Sequence, residues 1–199
     1  MNYLAHLFLA GEREEARIGS LLGDFEKGNI KGKYSREVEV EVEIEIHRKI
    51  DYYTDNHKVI KEAKKIFSEE RKRYAGIVLD VFYDHILAKS WGNYSKVALD
   101  DFTREVYSIL LKNKSVLPYK LNEIVPTMIE QDWLSSYQHF SGFEMAIDRI
   151  SLRLKRSNSL LDCISDVEHS YDFLSSGFDI FFPELIDFVS SQRLLLVGT

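Results

Sequence analysis

The chain has 199 residues, a single cysteine and a formal net charge of −6 at pH 7. This length is enough for one domain with a substantial core, and a lone cysteine, Cys163, excludes an intrachain disulfide and a cysteine-rich zinc site. The acidic balance disfavours nucleic-acid binding, and hydrophobic residues at 45% with charged residues at 29% are typical of a globular chain.

Proline and glycine are sparse, with three and ten residues, which favours long helices over many short strands. We therefore predict an all-α fold, a single-domain bundle of about eight or nine helices over residues 1–199. A lone thiol fits the reducing cytoplasm, the apolar N-terminal stretch lacks the basic region of a signal peptide, and no later apolar run is long enough to span a membrane. We expect a cytoplasmic protein without membrane contact.

Two helices are predicted at the start of the chain, over residues 3–10 and 14–27. Asn2 is a candidate N-cap for the first helix, whose almost wholly apolar surface predicts burial around His6. In the second helix Asp24 falls in the last turn, where the negative end of the helix dipole disfavours a carboxylate. A residue placed against such a local preference is often functional.

Residues 38–46 alternate strictly between branched apolar residues and glutamate, a pattern that normally indicates a half-buried strand. The sequence contains no second alternating run that could pair with such a strand. On a helix the same residues stack Val38, Val42 and Ile46 at i, i+4 and i+8. We therefore predict a helix that continues directly into His47.

Histidine and aspartate recur at helical spacing in the segment that follows. His47, Asp51 and Asp55 are four residues apart, and each step of four advances only about 40° around a helix, so the three share one face. That face can hold a divalent cation. Taken alone, a plain ion pair is the commoner explanation of a His-Asp pair at this spacing.

A predicted core helix over residues 74–91 carries Asp80 and Asp84 one turn apart, with His85 beside them. A buried carboxylate is costly unless it is paired, hydrogen-bonded or bound to a metal, and two of them raise each other's pKa. A cation between the two carboxylates would remove that cost.

The rest of the chain also has helical patterning. The aromatic stretch 171–188 is predicted to be core or an oligomer contact, so a homo-oligomer stays possible. The further predicted helices cover 57–73, 95–113, a segment that begins at Pro118 and is kinked or interrupted at Pro126, a helix opened by the capping box Ser141–Glu144 and ending near 155, and two last helices over 160–175 and 182–195.

The candidate ligands combine imidazoles and carboxylates without a thiolate, which suits Mn²⁺, Mg²⁺ or Fe²⁺ better than structural zinc. Such a cation acidifies a bound water or neutralises phosphoryl charge, and both effects favour phosphoester hydrolysis. His6 could equally be a core histidine with satisfied hydrogen bonds. The candidate set is His6, Asp24, His47, Asp51, Asp80, Asp84 and His85.

Four ordered motifs in the first 95 residues resemble those of the bacterial acyl carrier protein phosphodiesterases. Beyond Trp91 the resemblance is weak. That family is all-helical, looks distantly related to the HD-type phosphohydrolases, and uses Mn²⁺ or Mg²⁺ to remove 4′-phosphopantetheine from holo acyl carrier protein. The motifs are MNYLAHL at 1–7, GSLLGDF at 19–25, HRKID with TDN between 47 and 56, and LD with DH between 79 and 85.

The resemblance implies roles for individual residues. Arg48 would bind the phosphodiester oxygens through its guanidinium fork, and Asp51 would orient His47 or act as a base. The metal and its water would be held by Asp24, His47, Asp80 and His85, with His6 and Asp84 as further candidates.

An acidic carrier-protein substrate requires a local cationic surface on this acidic chain. Arg149, Arg153 and Arg156, at i, i+4 and i+7, form one candidate, and Arg71–Arg73 form a second, although either could be an ordinary solvated face. Two other functions stay open: an HD-like phosphohydrolase for nucleotides or another small phosphoester, and a helical binding protein without turnover.

Overall fold

A computed structural model describes residues 1–34, 38–154 and 158–197. Within these ranges the chain forms eleven α-helices and no strand, which confirms the all-α prediction and is compatible with the expected count. The helices are α1 (Tyr3–Leu9), α2 (Glu14–Leu22), α3 (Val38–Asn56), α4 (Lys58–Ala63), α5 (Ala75–Lys89), α6 (Leu99–Lys112), α7 (Tyr119–Glu130), α8 (Trp133–Ser136), α9 (Phe140–Arg153), α10 (Cys163–His169) and α11 (Tyr171–Val197).

The alternating segment 38–46 forms the first half of α3, as predicted. Its buried apolar side chains are Val40, Ile44 and Ile46, whereas Val38, the first of the three residues stacked at helical spacing, is exposed. Because a helix distributes the alternating glutamates around its surface, one of them, Glu43, faces inward. Its partner is Arg193 of α11.

The Glu43 carboxylate accepts hydrogen bonds from Arg193 at 3.0 Å and 3.1 Å and from the Gly11 amide at 3.2 Å. Arg193 also donates to the carbonyl of Leu9 at 2.7 Å. These bonds satisfy a charge that would otherwise be buried alone, and they join α3 and α11 to the connection between α1 and α2.

Several predicted helix ends were wrong. The second helix ends at Leu22, so Asp24 lies in the turn that follows it rather than in its last turn. The seventh continues through Pro126 without interruption. The last break falls at Ser170, and α11 then runs unbroken through Pro183.

The predicted capping box at Ser141–Glu144 was also wrong, since α9 begins earlier, at Phe140. Gly142 in this segment packs so closely against the backbone carbonyl of Ser136 that a Cβ at this position would overlap the carbonyl. This glycine allows the two helix ends to pack together. The need for glycine here comes from this tertiary contact, and the Ser141–Glu144 segment resembles a capping box only in sequence.

At the centre of the molecule lies α5, buried on nearly all sides as predicted for a core helix, with α1, α9, α10 and α11 packed around it. In the described part of the chain, no helix combines the length and apolarity needed to cross a membrane. Because α5 is buried on nearly all sides, its two carboxylates lie within the protein core (Asp84) or at the edge of the core (Asp80).

Asp84 fastens α1 to α5. Its Oδ2 accepts the amide N–H of Leu4 at 2.7 Å and its Oδ1 that of Ala5 at 3.0 Å, so it satisfies two donors that the start of a helix leaves unpaired. Burial raises the pKa of Asp84 to about 7, although the two N–H donors act in the opposite direction. This carboxyl group is a structural cap for α1.

We expect Asp84→Asn to lower the free energy of unfolding by about 1–3 kcal/mol, because the amide nitrogen would face a backbone N–H and leave it without an acceptor. Urea denaturation followed by circular dichroism measures the change. Asp101→Asn, in the exposed first turn of α6, is the matched control and should shift the value by less than about 0.5 kcal/mol. Equal stabilities of the two variants would contradict the capping role.

Candidate active site

Side chains from α1 and α3 converge at one point near the surface. His6, His47 and Asp51 bring potential ligand atoms within 4.8 Å of one another. The two imidazoles are stacked, with ring centroids 3.7 Å apart and planes inclined by 13°. Both are buried, whereas the Asp51 side chain is 44% exposed, so the cluster has an open side, at Asp51, that solvent can reach.

His47 is held in one orientation by a backbone carbonyl. Its Nδ1 donates to the carbonyl of Ser20 at 2.6 Å, which directs Nε2 toward two carboxylates, Asp51 at 3.2 Å and Asp24 at 3.5 Å. Burial opposes charge on this imidazole, but the two carboxylates outweigh it and raise the pKa of His47 to about 9. The Nε2 position thus attracts a positive charge, either a proton or a metal ion.

Asp51 is the hub of the cluster. One carboxylate oxygen accepts from His6 Nε2 at 3.1 Å and lies 3.5 Å from the α-ammonium of Met1, and the other faces His47. Burial favours the neutral acid, yet the hydrogen bonds from His47 and His6 outweigh it and hold the pKa of Asp51 well below its usual range. Asp51 is therefore an anion at neutral pH.

The Met1 α-ammonium links Asp51 to Asp80. It lies 3.0 Å from Asp80 Oδ1, and the nearby carboxylates outweigh its burial and raise its pKa to about 10. Burial also raises the pKa of Asp80, an effect that the ammonium opposes. A continuous series of polar contacts, which passes through the Met1 ammonium, therefore joins Asp24, His47, Asp51 and Asp80.

The structure does not bring Asp84 or His85 into this cluster. Both carboxylate oxygens of Asp84 are bound by α1, and both ring nitrogens of His85 are occupied. His85 Nδ1 lies 2.7 Å from the Tyr137 carbonyl and Nε2 lies 2.8 Å from the Tyr171 hydroxyl. We therefore correct the predicted ligand set by removing these two residues.

Arg48 lies beside the cluster on α3. Its guanidinium donates to Glu45 at 2.7 Å and to the carbonyl of Glu26 at 3.1 Å. These bonds hold the side chain in place with 30% of its surface exposed. A guanidinium carries five N–H donors, so donors remain for an anion that approaches the cluster.

The two predicted cationic surfaces differ in their contacts. Arg149 stacks over Trp133 with its guanidinium carbon 4.2 Å from the ring centroid, and Arg153 lies 5.8 Å from the same ring. Arg71 is neutralised by a bidentate ion pair with Asp166, with N···O distances of 2.7 Å and 2.9 Å. Arg156 lies outside the described residues.

Arg153 also lies near Tyr3 of α1, the helix that carries His6. Burial and the nearby Asp24 raise the pKa of Tyr3 to about 12, and Arg153 acts against this shift. Both charged groups are therefore close enough to influence the same phenol. Arg153 thus differs from Arg71, whose charge is paired with Asp166.

Sequence reasoning missed Gly23, which closes the cluster from the side of α2. Its backbone is right-handed helical, with φ −51° and ψ −36°, so nothing in its conformation calls for glycine. A Cβ at this position would overlap the ring of His47. A glycine directly before a candidate ligand, Asp24, was the only signal for this role in the sequence.

Comparison with known proteins gives one consistent result. Residues 1–185 match the family model described as acyl carrier protein phosphodiesterase. Relatives that carry this name are 32% identical in Serratia proteamaculans and 31% identical in Klebsiella pneumoniae strain 342, each over 98% of this chain and 100% of the relative. A relative from Escherichia coli O6:H1 is 32% identical over the same shares. No solved structure matches.

Proposed function

The chain belongs to the acyl carrier protein phosphodiesterase family, and from this premise we propose that it is a metal-dependent phosphodiesterase acting on holo acyl carrier protein. Water would add across the phosphodiester, so the carrier serine regains its hydroxyl and 4′-phosphopantetheine leaves as a phosphomonoester. The observation that carries the proposal is the convergence of two imidazoles and one carboxylate within 4.8 Å, with further carboxylates adjoining them.

The residues fit a hard divalent cation. We assign His6, His47 and Asp51 as ligands for Mn²⁺ or Mg²⁺, with Asp24 beside His47 as a further ligand and Asp80 adjoining. His6 Nδ1 is buried without a hydrogen-bond partner in the described ranges, which sets His6 apart from His85, whose two nitrogens are both satisfied. An incompletely bonded imidazole is a better candidate ligand than a core histidine.

When bound, the cation would acidify a water molecule and neutralise charge on the phosphodiester. A backbone carbonyl and a carboxylate of the chain would orient the imidazoles that bind the cation. The Ser20 carbonyl fixes the tautomer of His47, as the outer partners of metal-binding histidines commonly do, and the ionised Asp51 holds both imidazoles. Because its pKa is depressed, Asp51 is a weak base, so orientation is its better role.

Substrate binding falls to cationic groups around the open side. Arg48 would hold the non-bridging phosphate oxygens, since it lies one residue from His47 and is already braced by Glu45 and Glu26. We place the acidic carrier protein against the surface that contains Arg149 and Arg153, whereas the third predicted residue, Arg156, lies outside the described residues.

The direct test is incubation of the protein with holo acyl carrier protein and Mn²⁺, Mg²⁺ or chelator, followed by mass spectrometry of the intact carrier. We expect apo carrier protein and free 4′-phosphopantetheine in the presence of metal only. A panel of nucleotides is assayed in parallel. Turnover of nucleotides without any apo product would overturn the substrate assignment, and full activity with chelator would overturn the metal requirement.

Metal affinity should depend strongly on pH. The carboxylates around His47 hold its pKa near 9, so below that pH a cation must displace the proton from this imidazole. The apparent dissociation constant for Mn²⁺ should therefore fall by about tenfold per pH unit as the pH rises from 6.5 toward 9. Calorimetric titrations in buffers of different ionisation enthalpy should show the release of one proton. An affinity independent of pH would contradict His47 as a ligand.

A further inference from the structure

A groove runs along one side of α11, against a face of α3 that neighbours the face carrying His47 and Asp51. Its first part, with a volume of about 700 Å³, lies between α11 and the C-terminal half of α3. Its second part, of about 410 Å³, lies between α11, α4 and the side chain of Tyr83 from α5. Lys58 lines both parts, and lining residues of α11 follow one another from Phe173 to Gln192, so the two parts adjoin along this helix and are together called the channel.

The channel changes character along its length. Arg48, Lys49 and Lys58 line the first part, where they outnumber the carboxylates of Glu45 and Glu184. The second part is mostly apolar, with Ile180 on its rim 53% exposed. A ligand that is anionic at one end and largely apolar at the other matches this order.

The apolar end contains a hydrogen-bond donor that nothing in the described ranges satisfies. Tyr83 is 1% exposed, and its hydroxyl has no partner there. Gly177 keeps space open beside it, since a Cβ on Gly177 would lie 3.0 Å from Val59 Cγ1 and 3.5 Å from the Tyr83 hydroxyl. A buried unpaired hydroxyl costs free energy, so an acceptor supplied by a ligand would be favourable here.

The cationic end and the candidate active site share α3 but lie on neighbouring faces of this helix. Arg48 follows His47 on α3 and turns to the neighbouring helix face. The contacts of Lys49 with Gln192 at 3.0 Å and of His57 with Glu184 at 3.1 Å show that α3 and α11 run antiparallel beside the channel. From Gln192 back to Gly177, at 1.5 Å per residue, the channel extends for about 22 Å.

We propose that this channel binds the pantetheine arm of the substrate, a proposal that rests on the proposed function. The phosphate end lies at Arg48, and the arm extends along α11 toward Tyr83. Pantetheine suits the channel because it is long, because its only branches are a dimethyl carbon and the adjacent hydroxyl near the phosphate, and because its two amide carbonyls are acceptors for the Tyr83 hydroxyl. Two different faces of α3 would thus contact the arm and the phosphodiester.

Two variants test the channel by Michaelis–Menten kinetics on holo acyl carrier protein. Ile180→Asp places a charge at the apolar rim and should raise KM about tenfold. Tyr83→Phe removes only the unpaired hydroxyl and should raise KM severalfold without lowering the free energy of unfolding, because that hydroxyl has no partner in the described part of the chain. Leu194→Asp, exposed on α11 outside the channel, is the matched control.

Hydrolysis of bis(p-nitrophenyl) phosphate, a diester without the arm, should be equal in all these variants and the parent protein. If KM for holo carrier protein in both channel variants matches that of Leu194→Asp, the channel assignment is overturned while the proposed function stands. Direct titration of the parent protein and Ile180→Asp with pantetheine, followed by NMR, needs no turnover. Binding that Ile180→Asp abolishes supports the channel even if the parent releases no apo carrier protein, and absence of binding counts against it.

Discussion

Asp51→Asn should lower the rate of phosphopantetheine release by about a thousandfold, with a parallel loss of Mn²⁺ affinity. Asp51 contacts His6, His47 and the Met1 ammonium, so its charge holds the whole cluster together. Asparagine has nearly the same shape but no charge, and its amide N–H₂ would be forced against a ring N–H. Steady-state kinetics on holo acyl carrier protein and metal titration measure the two effects.

The control for this substitution lies one turn further along the same face of α3. Asp55 has the same spacing signal in the sequence, but in the structure its side chain is 68% exposed and is paired with Lys64 at 2.9 Å. Asp55→Asn should leave activity within about a factor of three of the parent, as expected for an exposed ion pair. Similar activity in the two variants would remove Asp51 from the catalytic centre.

Gly23→Ala should lower kcat/KM by about a hundredfold, although it adds only one methyl group. The methyl carbon would overlap the His47 ring, so the imidazole must move away from Asp51 and Asp24. A displacement of about 1 Å in a catalytic group is enough for a loss of this size. The backbone of Gly23 is right-handed helical, so the loss cannot come from a forbidden conformation.

Gly76→Ala is the matched control, since a Cβ at Gly76 meets nothing within 4 Å. It should keep full activity and gain some stability from the better helix propensity of alanine. The NMR signals of the His47 ring should shift in Gly23→Ala and stay in place in Gly76→Ala. If Gly23→Ala keeps both the activity and the ring signals, His47 does not need its observed position.

Local periodicity was sufficient for several features. The sparse prolines and glycines predicted the all-α fold, and the lack of a pairing strand predicted that residues 38–46 form a helix. The spacing of His47 and Asp51 placed them on one helix face, because a helix brings i and i+4 together whatever surrounds it. The motifs also indicated the family, although the match extends to residue 185, beyond the first 95 residues in which they were found.

Other features depended on partners far away in the sequence. Asp84 looked like a metal ligand, but its partners are amides of α1 that lie about eighty residues earlier, and the partners of His85 lie 52 and 86 residues later. A buried carboxylate requires a partner, but the sequence alone does not identify which residue that partner is.

The sequence by itself determined that this chain is helical and that α3 presents an imidazole and a carboxylate on one face, since both follow from spacing within a few residues. Only the tertiary structure decided which buried groups meet. Packing of α1 and α3 on α2 stacks His6 on His47, and packing of α1 against α5 turns Asp84 into a helix cap. The physical reason is that burial makes every polar group seek a partner, and long-range packing determines which partner lies within reach.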